Sequence, residues 1–252
     1  MYIVIPWIAL LVAIITHELA HAYEMRKKKI RYAEISLGIP LPRVPGIQIV
    51  YQGVRYSLHP FLIAAFVRVE EEERQKMESL PYQSKAMING AGIWINVLSF
   101  FLILMALEIW QSEGLTRASV IWALLSFLVF MGKKIFCCYI IPALGPLVLV
   151  LMVITIVKSP QDHGSLVSMG SFIAENSTSM YKSLAVSAVM FMALAAFNLI
   201  PLTPLDGGRT AEMLIQNPRF KNLFKTAGLF MVLVLVATAI GSDIIKLLMM
   251  IF

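Results

Sequence analysis

The chain has 252 residues, of which 59% are hydrophobic and only 14% charged, and its formal net charge is +6 at pH 7. Soluble domains carry about 25% charged residues, so the composition excludes an ordinary soluble protein and places most of the chain in a lipid bilayer. The excess positive charge is read as membrane topology and contact with anionic lipid, because nothing in the sequence resembles a nucleic-acid-binding module.

The first apolar stretch, residues 2–22, ends in the motif His17-Glu18-Leu-Ala-His21. It is predicted to be a retained membrane span, since it has neither a basic n-region nor a small-residue cleavage site. On a helix, residues i and i+4 share a face, so both histidines can offer imidazole nitrogens to one tetrahedral zinc ion. Glu18 then lies beside the metal, where a carboxylate can take a proton from water. Ionisable groups are costly in an apolar span and usually serve a function, which favours a metal site over a chance match.

A small β-hairpin region is predicted after this span, within residues 33–69. The β-prone runs Ile47–Tyr51 and Val54–Leu58 are separated by Gln52-Gly53, the composition of a hairpin with a two-residue turn. The polar stretch 70–85 that follows is predicted to be a solvated linker.

Five further apolar runs approach the roughly 20 residues that a helix needs to cross the hydrocarbon core. They cover residues 87–110, 115–131, 135–157, 183–200 and 228–252. With the first stretch they predict an all-α polytopic membrane protein of about six transmembrane helices, folded as one domain over 1–252. The run 115–131 is short and lies close to the next one, so residues 115–157 form either two spans or a re-entrant hairpin.

Basic residues indicate the orientation, because they favour the cytoplasmic side in short loops. A cluster of five follows the first span directly, at 26–29 and 31, which predicts a cytoplasmic position for the motif and an outside N-terminus. With six spans, Lys133, Lys134 and the basic residues of 209–225 fall on the same side. The sequence therefore predicts an integral multi-pass membrane protein whose metal site faces the cytoplasm.

A catalytic zinc usually takes three protein ligands and leaves one position for water. Asp206 is the predicted third ligand, in preference to His59 and His163, which lie in predicted loops. It belongs to the segment 198–208, where two prolines break the end of a span and two glycines let the backbone turn tightly. Six spans bring Asp206 to the same face as the histidines, whereas a single crossing within 115–157 would separate them. A helix cap or turn is the alternative role for this aspartate.

The HExxH motif in a first span, together with the segment 198–208 near the end of a late one, resembles the site-2 protease family of intramembrane zinc metalloproteases, peptidase family M50. Residues 92–96 resemble the glycine and asparagine signature of the family's second span, although Ile93 stands where a proline often follows the glycine. Residues 33–69 resemble the membrane-associated β-hairpin region of bacterial members. The short loop 158–182 leaves no room for the PDZ domain of many relatives, so a compact bacterial-type member is expected.

The resemblance implies a role for each site residue. His17, His21 and Asp206 would hold zinc with water as the fourth ligand, and Glu18 would activate that water. Asn198 would contact the substrate, unless it makes an interhelical hydrogen bond instead. Asn96 is open to the same two interpretations and is not placed in the catalytic set.

The function implied is hydrolysis of a peptide bond within or near the transmembrane segment of a single-span membrane protein, such as an anti-sigma factor or a signal-peptide remnant. The bacterial cytoplasmic membrane is the expected location, and the sequence favours no oligomeric state. An exposed hairpin edge could pair with an unwound substrate, or the hairpin could merely pack at the membrane interface. Two alternatives are a metal-binding transporter or channel, and a receptor that binds transmembrane helices without cutting them.

Overall fold

The computed structural model describes residues 2–40, 44–111, 121–122, 124–125, 132–158 and 166–251. Within these ranges, five helices are long and apolar enough to cross a membrane: Val4–Lys27, Ala91–Trp110, Gly132–Leu151, Met180–Leu199 and Pro218–Lys246. They correspond to the first, second, fourth, fifth and sixth predicted spans. The remaining prediction, a span or re-entrant hairpin over 115–131, lies almost wholly outside the described residues.

The described elements follow one another as a long helix, a small sheet and then further helices. The first part comprises α1 (Val4–Lys27), β1 (Tyr32–Ile39), β2 (Ile47–Tyr51), β3 (Val54–Leu58), β4 (Phe61–Val69), α2 (Glu71–Ser79), α3 (Tyr82–Asn89) and α4 (Ala91–Gln111). The second part comprises a π-helical turn (Phe136–Ile140), α5 (Ile141–Lys158), α6 (Leu166–Asn176), α7 (Met180–Leu199), α8 (Asp206–Glu212) and α9 (Pro218–Ile251). The prediction of a mainly helical protein with a small β region after its first helix is confirmed.

Helix α1 carries the HExxH motif in its second half and ends in positive charge. Arg26 and Lys27 occupy its last turn, where cations interact favourably with the carbonyl end of a helix. Lys29 then adopts a left-handed backbone with φ of 57°, which stops the helix. His21 lies five residues before Arg26, which is about 7.5 Å along the helix axis. The motif is therefore close to the charged end of the span.

The sheet contains the predicted hairpin, with β2 and β3 bounded as expected and paired from Tyr51 with Val54 to Ile47 with Leu58. Gln52 and Gly53 have φ of 50° and 80°, the left-handed conformations that a two-residue hairpin turn requires. Two strands are additional to the prediction, and the strand order is β2-β3-β1-β4. Strand β1 runs parallel to β3 and antiparallel to β4, so β2 and β4 are the two edges.

The stretch 70–85, predicted to be a solvated linker, is helical: it forms α2 and the first half of α3, and Glu73 is its only buried residue. Three glutamates occupy the first turn of α2, where negative charge stabilises the amino end of a helix. Glu73 binds Arg31 at 2.9 Å and Lys76 at 3.0 Å, which anchors α2 to the segment before β1. Hydrogen bonds from Arg31 and then Lys76 hold the pKa of the Glu73 carboxyl below its usual value.

The chain after residue 131 starts at the end of the bundle where α1 carries its motif. Lys133 Nζ lies 2.8 Å from the Glu24 carboxylate, which is only 1% exposed, and the Tyr82 hydroxyl donates to the Cys138 carbonyl at 2.8 Å. Helix α4 leaves from this same end, directly after α3. Cys137 is part of a core cluster with residues of α4, α5 and α7. The helix that starts at residue 132 thus begins on the same side as the motif, as the six-span prediction requires if α7 is to bring Asp206 to the histidines.

Candidate metal centre

Three side chains from two distant parts of the chain converge at the end of the helix bundle. His17 and His21, one turn apart on α1, direct their Nε2 atoms at the same oxygen, Oδ2 of Asp206, at 2.9 Å and 3.1 Å. All three residues are buried, with exposed fractions of 4%, 7% and 6%. The i, i+4 spacing on one helix face explains the histidine pair, and the end of α7 delivers the aspartate.

The second nitrogen of each imidazole is bound from outside the cluster. His21 Nδ1 lies 2.6 Å from the carbonyl oxygen of Ile88 on α3, and since a carbonyl only accepts, Nδ1 carries the proton. His17 Nδ1 lies 3.1 Å from the side-chain amide of Asn96, which is fully buried on α4. Such outer partners fix the tautomer and the ring orientation of metal-binding histidines.

The tautomer of His21 makes the cluster fit a metal ion. With its proton on Nδ1, neutral His21 points the lone pair of Nε2 at the Asp206 carboxylate, and two acceptors in contact need a cation or a proton between them. The donor atoms of His17, His21 and Asp206 all lie within 4.8 Å of one another. Two imidazole nitrogens and one carboxylate oxygen are a common ligand set of catalytic zinc.

Asp206 is the first residue of the short helix α8, and tight backbone packing fixes its position. A side chain at Gly207 would collide with the backbone of Leu199 and Ile200, and one at Gly208 with the backbone of Leu202 and Thr203. Both glycines lie within α8, and neither has a positive φ. The prediction that they form a tight turn is therefore wrong. They are needed because α8 folds back directly against the segment that connects it to α7.

Gly92 has a comparable role beside His17. A side chain at this position of α4 would meet the imidazole ring of His17 before any other atom. The absence of a side chain lets α4 approach α1 closely enough for Asn96, one turn later, to reach His17.

Glu18 lines a cavity of about 420 Å³ together with His17, His21 and Asp206, and we call this space the metal-site cavity. Strand β4 contributes Ala65, Phe66 and Val67 to its wall, α7 contributes Leu194, Phe197 and Asn198, and α8 contributes Arg209. A carboxylate next to three converging donors, in a space large enough for a peptide segment, is the arrangement needed for general acid and base chemistry beside a metal.

A second cavity, of about 470 Å³, runs between α1 and the sheet, and we call it the sheet groove. Most of its lining is apolar and comes from Ile15 and Leu19 of α1 and from Leu37, Ile49, Tyr56 and Leu58 of the sheet. Glu18 and Ala65 line both cavities. The sheet groove therefore opens toward the carboxylate of the candidate site.

The structure brings all the predicted site residues, His17, Glu18, His21, Asp206 and Asn198, to one cavity. Asn198 lines the metal-site cavity, but its amide donates to Leu194 within α7, at 3.1 Å, rather than to another helix. Asn96, which the sequence analysis left outside the catalytic set, makes the interhelical contact with His17. The sequence did contain a signal for this role, because Asn96 belongs to the segment 92–96 that resembles the family signature. His59 lies in the loop after β3, as predicted, but is buried; His163 lies outside the described residues.

Apolar membrane helices that enclose two histidines, an aspartate and an adjacent glutamate define a class of protein, the membrane-embedded metal-dependent hydrolase. The model of Peptidase family M50 matches residues 6–239, and the chain belongs to this family, the site-2 proteases. The resemblance predicted from the motifs is confirmed. The chain is thus an integral membrane protein of an intramembrane metalloprotease family. No curated protein matches it.

Replacement of Asn96 by alanine is expected to weaken zinc binding about 10- to 100-fold, because outer partners of metal-binding histidines contribute this much to affinity. The reason is that His17 loses the group that holds its Nδ1 and becomes free to rotate. Titration of the purified protein with zinc against a competing chelator measures the change. Asn198→Ala is the matched control, because its amide bonds only within its own helix, and its zinc affinity should equal that of the wild type. Unchanged affinity in Asn96→Ala would contradict the positioning role.

Proposed function

We propose that the chain is a zinc metalloendopeptidase that cuts a peptide bond within or near the transmembrane segment of a single-span membrane protein. The observation that carries the proposal is the convergence of the His17, His21 and Asp206 donors beside Glu18, in a cavity enclosed by membrane-type helices. Family membership supports the general chemistry. The identity of the metal and the nature of the substrate are the parts that this proposal adds.

The side chains have separate roles in the proposed reaction. His17, His21 and Asp206 hold the zinc, which supplies Lewis-acid activation of water and of the scissile carbonyl. Glu18 takes a proton from the attacking water on its carboxylate and later gives it to the leaving amine. Asn96 and the Ile88 carbonyl keep both imidazoles oriented throughout, because neither needs to move during the reaction. Asn198, which lines the metal-site cavity, contacts the substrate.

The substrate has to be unwound at the cut, because a transmembrane helix hides its peptide bonds in its own hydrogen-bond ladder. Strand β4 is an edge of the sheet and contributes to the wall of the metal-site cavity. An extended substrate segment could pair with this edge, so that the sheet satisfies the backbone groups that unwinding exposes. The apolar lining of the sheet groove fits the hydrophobic side chains of such a segment.

The proposed location is the bacterial cytoplasmic membrane, with the N-terminus outside and the metal site toward the cytoplasm. The basic residues that follow α1, and the basic residues Arg219, Lys221 and Lys225 at the start of α9, support this orientation. Candidate substrates are proteins already trimmed outside, such as anti-sigma factors, and remnants of signal peptides.

Removal and return of the metal test the proposal. The purified chain in detergent is mixed with several tagged single-span substrates, and products are identified by mass. Cleavage by the zinc-loaded protein should stop after treatment with a chelator and resume when zinc is added in stoichiometric amount. If zinc binds at one ion per chain but no substrate is cut, the receptor or transporter alternatives are favoured. Cleavage that persists in the metal-free protein would overturn the proposal.

A further inference from the structure

Arg209 is a cation in the wall of the metal-site cavity to which the proposed reaction gives no role. It follows Asp206 by three residues on α8, which is about one turn, and it lines the cavity with Glu18 and His21. Its side chain is exposed, and among the described residues its guanidinium has no hydrogen bond or ion pair. A guanidinium at a cavity that is otherwise lined by two carboxylates is available to a ligand.

The neighbouring basic residues are differently placed. Lys221 and Lys225 of α9 both pair with Glu212, at 3.4 Å and 3.1 Å. Arg219 is exposed on the first turn of α9 and does not line the metal-site cavity. Arg209 alone among these four cations faces the space in which the proposed cut takes place. A substrate segment bound in this cavity can therefore bring one of its own groups to the guanidinium.

The ligand chemistry follows from the guanidinium itself. Its planar fork of N–H donors matches a carboxylate in two parallel hydrogen bonds, and it has no acceptor. With zinc bound, the charges of the ion, Glu18 and Asp206 would offset one another, so Arg209 is the charged group of the cavity wall that attracts a substrate carboxylate. Given the rise of α8 and the length of an arginine side chain, the acidic side chain of the substrate would lie roughly 10 Å from the Asp206 carboxylate. This distance corresponds to about three residues of extended chain.

We propose that Arg209 is a specificity-determining residue that binds an acidic side chain of the substrate two to four residues from the cut, on the side nearer Lys221 and Lys225 of α9. This inference rests on the proposed function and adds a substrate class to it: apolar spans with Asp or Glu just beyond the cut. Arginine provides the specificity because a glutamine of similar length can hydrogen-bond the same acid but cannot neutralise it.

A charge-swap experiment tests the inference with three substrates that carry Glu, Gln or Lys at the chosen position. Binding is measured with the Glu18→Gln protein, so that no substrate is consumed, and kcat/KM is measured with Glu18 intact. The protein with Arg209 should bind the Glu substrate about fivefold more tightly than the Gln substrate, the size expected for an exposed ion pair. Arg209→Gln should remove this preference, and Arg209→Glu should reverse it in favour of Lys. The change in kcat/KM should come from KM.

Arg219→Gln is the matched control, because it removes an exposed arginine that does not line the metal-site cavity. It should keep the preference for the Glu substrate. An equal preference in Arg209→Gln and wild type would overturn the inference. An equal loss of affinity for all three substrates in Arg209→Gln, dependent on anionic lipid in the micelle, would also overturn it and assign Arg209 to a phosphate headgroup. If the charge preference is found in binding but no substrate is cut, the role of Arg209 stands and the protease proposal fails.

Discussion

Replacement of Glu18 by glutamine is expected to lower the rate of peptide cleavage by about 10²- to 10⁴-fold, the usual contribution of a positioned general base. Glutamine has the size of glutamate but cannot take a proton from water. The donor cluster consists of His17, His21 and Asp206 and does not include Glu18, so zinc content should remain at one ion per chain. Mass analysis of the products and metal analysis of the same sample measure the two quantities together.

Glu175→Gln is the matched control for this variant. It makes the same chemical change at an exposed position of α6, away from both cavities, and should cleave as fast as the wild type. Loss of zinc together with activity in Glu18→Gln would show that Glu18 maintains the site instead of moving a proton. Equal cleavage by Glu18→Gln and wild type would eliminate its role altogether.

Replacement of Gly92 by alanine is expected to reduce both zinc affinity and cleavage, although alanine favours helices more than glycine does. The new methyl group would meet Nε2, Cδ2 and Cε1 of His17, so the ring must rotate or α4 must move away from α1. Overpacking of this kind costs about 1–3 kcal/mol, which corresponds to roughly 5- to 150-fold in affinity if the cost falls on the metal-bound arrangement. A chelator titration gives the affinity, and the cleavage assay gives the rate.

Gly241→Ala separates this effect from helix propensity. Gly241 lies within α9 with no atom within 4 Å of an added methyl group, so alanine should keep zinc affinity and cleavage unchanged and raise the stability of the helix by up to about 1 kcal/mol. Thermal unfolding in detergent compares the two variants with the wild type. If Gly92→Ala binds zinc as tightly as Gly241→Ala, the close contact between Gly92 and His17 has no bearing on the metal site.

The parts of the fold that depend on local chemistry could be predicted from the sequence. The hairpin of β2 and β3 has the predicted bounds, because Gln52 and Gly53 accept left-handed conformations and the flanking runs are β-prone. Strands β1 and β4 were not separately predicted, since β1 pairs in parallel with β3 across an intervening connection. Pairings between distant segments depend on tertiary packing, which a local pattern does not contain.

In the candidate site too, local patterns could be predicted from the sequence, whereas contacts between distant segments could not. The spacing of His17 and His21 is a local helical pattern, and their joint position could be predicted from it. The approach of Asp206 needed a count of membrane crossings, and the described helices satisfy it without fixing that count. The glycines after Asp206 were assigned to a turn because glycine commonly permits one, whereas they serve close backbone packing. That role depends on which segments meet in space, and so do the contact of Asn96 with His17 and the position of Arg209 in the cavity wall.

The position of His21 along α1 has a consequence for the fate of a cut protein. With the metal site about 7.5 Å before the first cation of the helix, a span of roughly 20 apolar residues would be divided very unequally. The longer fragment would keep about 15 apolar residues and remain anchored in the bilayer. The shorter fragment would keep only about five, too few to hold it in lipid. In the proposed orientation, cleavage would therefore detach the cytoplasmic part of a substrate and free it to diffuse away from the membrane.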